Sequence, residues 1–258
     1  MDYESNATYT GDDVVQWLSD RESAEDPLVK TFLRYLTIQE TAQIIRQFQT
    51  HWIQNGQVLW SGMPREATQK WADQHHLQTL TTAMGPLMRI EHTSCLRSKM
   101  SQRHWSQYVH GASAIFAWFI SRGELVTVLS PPPPERFHPS GHTSYQEIEE
   151  PIVTGQVGQS AVAQIIIVHP TIKGGEEFFY ELWPVDRGST WVENFGLQSA
   201  TRRWRRTRQC DDRRLRELAA LRDQSPGQPK PSGGCSDFFK DRKVRSGNLF
   251  IDFYPQNL

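Results

Sequence analysis

Gln57–Met88, QVLWSGMPREATQKWADQHHLQTLTTAMGPLM, is the stretch from which the rest of the chain is read. Val58-Leu59 has the character of a short strand, and it delivers Trp60-Ser61-Gly62 to whatever follows. Pro64 then stands where a helix begins, a position at which its missing N–H costs little. Across Arg65–His76 the residues Ala67, Trp71 and Ala72 fall to one side of a helix. Thr79-Leu80-Thr81-Thr82 and Gly85-Pro86 read as a loop. A ring, a glycine and a polar loop held apart by one helix make one wall of a small-molecule pocket. The competing reading is a core tryptophan beside a helix, because aromatic side chains dominate cores.

Upstream, residues 1–26 are polar, with a short helix around Val14–Leu18. Pro27 opens an amphipathic helix through Ile53. Leu28, Phe32, Tyr35, Leu36, Ala42, Ile45 and Phe48 recur along it at three- and four-residue spacing. Downstream, Arg89–Met100 is a polar connection whose Glu91, His92 and Cys95 lack the paired spacing of a metal site. Ser101–Arg122 predicts a helix with a buried stripe of Tyr108, Ala112, Ile115, Phe116 and Phe119. Gly123 is its stop.

The second half alternates differently. Glu124–Leu129 is β-branched and apolar, a buried strand. Ser130–Pro134 is a polyproline segment leading into a loop with Arg136, His138 and His142. Ser144–Thr154, SYQEIEEPIVT, reads as a strand broken at Pro151, with Glu147 and Glu149 on one face and Glu150 on the other. Such a strand is usually an exposed edge, since carboxylates are seldom buried unpaired. Ala161–His169 and Glu176–Val185 are two further strands; Glu181 in the latter is a carboxylate in an apolar setting. Beyond residue 200 the chain turns basic. Arg202-Arg203-Trp204-Arg205-Arg206 and Arg208 precede a helix over Asp211–Arg222, a flexible linker at Gln224–Gly234 and a final strand at Asn248–Tyr254.

These elements predict an α+β protein, a helical N-terminal part packed with a sheet-containing C-terminal part across a cleft. The expected divisions are a polar segment 1–26, a catalytic region 27–200 (helical to 122, sheet-rich from 123) and a basic region 201–258. The 258 residues carry a formal charge of -1 and 37% hydrophobic residues. That composition fits a packed core, and the net charge points to no particular partner. Three cysteines, Cys95, Cys210 and Cys235, form no disulfide framework. No secretory h-region is found at the acidic N-terminus, and no apolar run is long enough to cross a bilayer. A cytoplasmic location is the expectation.

Leu59-Trp60-Ser61, Ala67, Thr79-Leu80 and the glycine after them stand in an order that resembles the ADP-ribosyl cyclase/NAD glycohydrolase family. Its members have a leucine–tryptophan–serine segment, a short helix, then a threonine–leucine–glutamate loop and a glycine. Three more segments continue the resemblance, which covers roughly residues 27–170. The family's next helix begins with a tryptophan, places a serine one turn on and ends at a glycine. Counted back from Gly123, Ser106 takes the serine's place and Gln102 the tryptophan's, with Trp105 beside the serine. The family's essential glutamate precedes a hydrophobic strand ending in histidine, which matches Glu149 ahead of the strand ending at His169. Glu150, Glu147 and Glu181 remain alternatives.

The resemblance implies cleavage of the nicotinamide–ribose bond of NAD(P)+, a substrate and not a cofactor, with neither metal nor cofactor required. It implies Glu149, Trp60 and Ser106 as catalytic residues. Ser61, Gly62, Thr81, Thr82, Trp105 and Glu150 would contact substrate. Thr81 replaces the family's loop glutamate, so the balance between ADP-ribose and cyclic ADP-ribose is left open. Two other readings compete. The altered positions Gln102 and Thr81 fit a nucleotide-binding relative without activity. The arginine cluster at 202–208 fits nucleic-acid phosphates, although Asp211, Asp212 and Glu217 beside it favour a salt-bridged surface.

Overall fold

A computed structural model describes residues 11–20, 25–138 and 140–197. The arginine cluster, the linker, the final strand, Cys210 and Cys235 lie outside the described residues. The element order is α1 (Gly11–Ser19), α2 (Pro27–Leu33), α3 (Ile38–His51), β1 (Val58–Trp60), α4 (Arg65–Gln74), α5 (Leu80–Met84), α6 (Gln102–Ser121), β2 (Leu125–Leu129), α7 (Glu150–Val153), β3 (Gln164–Val168), β4 (Phe179–Trp183) and α8 (Gly188–Phe195). The class is α+β. Helices concentrate ahead of β2, and the sheet, ordered β1-β2-β3-β4, has parallel β1, β2 and β3 with β4 antiparallel at the edge. The first strand comes from the helical half of the chain, so the sheet joins both halves.

Helices cover both faces of the parallel strands, as parallel sheets require. Side chains alternate across each strand, and the two faces enter different apolar clusters. Leu59, Val126, Val128, Ile165 and Ile167 join the large core with α2, α3 and α6. Val58, Trp60, Leu129 and Val168 join a smaller one with Trp71 and Ala72 of α4.

Three expected elements come out differently. The single helix over Pro27–Ile53 is two helices, α2 and α3. Thr37 caps the second: its hydroxyl accepts from the Glu40 amide, and Glu40 accepts from the Thr37 amide in return. That reciprocal pair stabilises a fresh start and outweighs continuous periodicity. The loop at Thr79–Gly85 contains the short helix α5, again because Thr79 caps it. The strand expected at Ser144–Thr154 is helical. Tyr145–Glu149 forms one π-helical turn that runs into α7. Pro151 does not break a strand here; it stands in the first turn of α7, where the absence of its N–H is harmless.

Gly111 shows how closely α6 approaches the chain after α2. A Cβ there would fall on the side chain of Leu36, itself buried. Gly111→Ala is expected to destabilise the protein by about 1 kcal/mol net, because overpacking outweighs the gain in helix propensity. Thermal unfolding would register this as a midpoint lowered by about 3 °C; a raised midpoint would show that Leu36 turns aside freely.

Candidate active site

The register of the sheet brings the ends of three parallel strands into line. Trp60 pairs with Leu129, and Leu129 with Val168. The next residues, Ser61, Ser130 and His169, therefore emerge together, and each is fully buried. The Ser61 amide donates to the Leu129 carbonyl at 3.0 Å and the Ser130 amide to the Val168 carbonyl at 3.2 Å. In open sheets of parallel strands, ligands bind beyond these carboxyl ends.

The π-helical turn carries Glu149 to this edge. Thr143 starts the turn, accepting from the Gln146 amide at 3.2 Å. The same hydroxyl shares a 3.2 Å hydrogen bond with Ser61, which ties the turn to the end of β1. Glu149 lies on the α6 side, where the Ser113 hydroxyl donates to its Oε1. Only 6% of Glu149 is exposed. Burial pushes its carboxyl up to about 7, against the opposing pull of the Ser113 hydrogen bond. A buried carboxyl held near neutrality on a π-helical turn makes Glu149 the candidate functional group of this region.

A second set of polar groups stands at the end of β3. His169 lies between the Ser130 carbonyl, 2.9 Å from Nδ1, and the Tyr180 hydroxyl, 3.0 Å from Nε2. A carbonyl only accepts, so Nδ1 carries the hydrogen and Nε2 accepts from Tyr180. Burial lowers the imidazole to about 4, the Ser130 carbonyl pulling the other way, so His169 is neutral. Tyr180 accepts from Arg136, and Arg136 forks onto Asp186 with contacts of 2.7 and 2.5 Å. Glu150 is raised by burial and opposed by the charge of Arg136.

Several expected site residues stand elsewhere. Ser106 does not meet Glu149: it lies seven residues before Ser113 on α6, roughly 10 Å along the axis. Ser113 is the serine that does. The count from Gly123 selected the wrong turn; the usable signal was a hydroxyl on the apolar stripe of Val109, Phe116 and Ile120, where a buried polar group must find a partner. Trp105 is packed into the core, stacked on Tyr108 with centroids 5.3 Å apart. Trp60 also turns away. Its indole packs with Met63, Trp71 and Ala72 on the α4 face, whereas Tyr145 and Ile148 of the Glu149 turn belong to the α6 face. Alternation makes Ser61 the residue of that segment that meets the turn.

Gly62 follows in a left-handed conformation, φ 73°, that glycine adopts without strain. Thr81 and Thr82 lie in the first turn of α5, and Thr82 accepts from Gln69 of α4 at 3.0 Å. Of the rival acids, Glu147 pairs with His142 at 2.5 Å. Glu181 accepts from Arg187 at 2.8 Å. Neither faces Ser113. Among the described residues no group of His, Cys, Asp and Glu is placed to hold a metal, and no helix is long and apolar enough to cross a membrane. A depression of about 660 Å³ is lined by Arg65, Glu66, Gln69, Lys70, Asp73 and Gln74, all on α4. It contains no buried reactive group.

Ser113→Ala removes the hydrogen bond that holds the Glu149 carboxyl down. A hydrogen bond to a charged group is worth about 1.5–3 kcal/mol, so the titration of Glu149 is expected to move up by at least about one pH unit. Carboxyl-resolved NMR titration reads this directly; an unmoved midpoint would mean that Ser113 does not set the acidity.

No protein-family model, curated protein or solved structure matches the chain. Fold and site define an α+β protein with a buried, hydroxyl-bound carboxylic acid on a turn tied to the carboxyl end of the first of three parallel strands.

Proposed function

We propose that the chain cleaves the nicotinamide–ribose bond of NAD(P)+ and that Glu149 is its catalytic carboxylate. The observation that carries this reading is the Ser113–Glu149 pair, a buried acid near neutral pH beside the strand ends. It adds to the sequence resemblance, which had selected the same glutamate.

The chemistry asks for what such an acid supplies. As the C–N bond breaks, its electron pair leaves with nicotinamide, which departs neutral and needs no proton. Positive charge then develops on the ribose ring. A carboxylate fixed in a water-poor site stabilises that charge far better than solvent does. Ser113 holds the carboxylate by one oxygen and leaves the other for the ribose. Water then attacks the anomeric carbon and gives up a proton, which Glu149, titrating near 7, is able to accept. The cationic nicotinamide itself favours the ionised carboxylate on binding. Because Glu149 is nearly closed off, substrate reaches it when neighbouring side chains part, as in many active sites.

The test is nicotinamide release from NAD+ by the purified chain, followed by chromatography. ADP-ribose in equal amount is the expected co-product, since water is the default acceptor. Absence of nicotinamide release at enzyme concentrations comparable with substrate would overturn the reading in favour of a nucleotide-binding protein.

A further inference from the structure

We propose that the Arg136 guanidinium is the phosphate anchor of this site, and that Asp186 occupies its fork as an internal stand-in for the diphosphate of the substrate. The proposal rests on the NAD-cleaving reading and names how the rest of the dinucleotide is held.

Arg136 stands where such an anchor is needed. It follows Ser130 by six residues along the segment that leaves the end of β2. Its neighbour Phe137 packs on Tyr145 with ring centroids 5.2 Å apart, and Tyr145 begins the turn that carries Glu149. Its charge is felt by Glu150, Tyr145 and His169, which places a cation in the surroundings of the turn that bears Glu149. In NAD+ the diphosphate is one ribose away from the scissile bond. An acid at one end of that ribose and a guanidinium at the other match the charges of the ligand.

The present partner of Arg136 has the geometry of the absent one. A guanidinium fork takes carboxylate and phosphate oxygens in the same bidentate way. The Asp186 carboxylate, held ionised by Arg136, fills that fork, and the Gly188 amide also donates to it at 2.8 Å. The pair is part-exposed, its side chains being 24% and 44% exposed, so solvent screens it and a doubly charged ligand competes for the fork. Tyr180 fixes the guanidinium from behind. The Tyr145 hydroxyl, fully buried with no hydrogen-bond partner among the described residues, feels Glu150, Glu149 and Arg136. A buried donor without a partner, in the field of both acids and cation, is accounted for by a ligand that reaches it.

A merely structural ion pair and an occupied anchor differ in sign. If Asp186 competes with phosphate, its removal strengthens binding while removal of Arg136 weakens it. Calorimetry with inorganic pyrophosphate, free of divalent metal, on wild type, Arg136→Gln and Asp186→Asn measures this without any turnover. Expected are at least about tenfold weaker binding for Arg136→Gln and several-fold tighter binding for Asp186→Asn. In steady state, Arg136→Gln is expected to raise KM for NAD+ and NADP+ alike, with kcat within about threefold, since uniform binding is lost. Both variants weakening binding together, or neither changing it, overturns the proposal. So does a loss confined to NADP+, which would assign Arg136 to a different phosphate. Should Arg136→Gln fail to fold, Arg136→Lys keeps the charge, loses the fork and carries the same comparison. If wild type binds pyrophosphate as expected but releases no nicotinamide, the anchor stands and the NAD-cleaving reading falls.

Discussion

Glu149→Gln is expected to reduce nicotinamide release from NAD+ at least about a thousandfold, an increase in barrier of about 4 kcal/mol. The substitution keeps volume and an oxygen that accepts from Ser113, so the local packing is retained. What it removes is the negative charge opposite the developing ribosyl cation. In a site where only 6% of the acid meets solvent, no counter-ion from water replaces that charge. The loss is expected in kcat and kcat/KM together, because the interaction strengthens as charge develops. A decrease below about tenfold, about 1.4 kcal/mol, would move the catalytic role to another acid, with half-buried Glu150 next in line. The same variant is expected to be more stable than wild type at pH 8. The folded carboxyl titrates near 7, above the ordinary carboxylate value of 4.5. Wild type therefore has its full stability below pH 4.5 and loses some of it as pH rises towards 7. Glutamine does not titrate, so the stability difference should open with rising pH, by at most about 3 kcal/mol. Denaturant unfolding at pH 5 and pH 8 measures it; equal differences at both values would show that Glu149 is not titrating in the folded state.

The second large effect is the pH profile of wild type. The dependence of kcat/KM reports ionisation in the free enzyme. With the free carboxyl near 7, activity should fall tenfold for each pH unit below the midpoint, to about a hundredth of its plateau at pH 5. His169 does not generate this limb, because burial holds it near 4. His110, lowered by burial against the charge of Glu147, moves in the same direction. Initial rates at low NAD+ across pH 5–9 would decide the matter. A flat profile to pH 5 would mean an acid with an ordinary carboxylate range, hence one less buried than Glu149.

Much of the fold was legible because its signals are local. The stripes of α3 and α6 repeat every three or four residues, and the apolar runs of β2 and β3 are short and β-branched. Errors arose where two local signals compete. Thr37 with Glu40 interrupts a periodic helix, and that capping box was present in the sequence. Tyr145–Glu149 alternates like a strand, yet Thr143 ahead of it and Pro151 behind it both suit a helix. With carboxylates at two of its positions, the segment gains by curling onto α6, where Ser113 satisfies one of them.

The sequence alone determined the α+β class, the strands around the strand-end segments, and Glu149 as the acid to examine. Only the tertiary structure decided which side chains meet that acid. The partner of Glu149 is 36 residues away on another helix, a distance across which no local pattern carries information. Whether Trp60 or Ser61 faces the acid is a question of strand parity, and parity acquires meaning only once α4 covers one face and α6 the other. Arg136 and Asp186, 50 residues apart, likewise meet only in the folded chain, on the segments that follow β2 and the antiparallel β4.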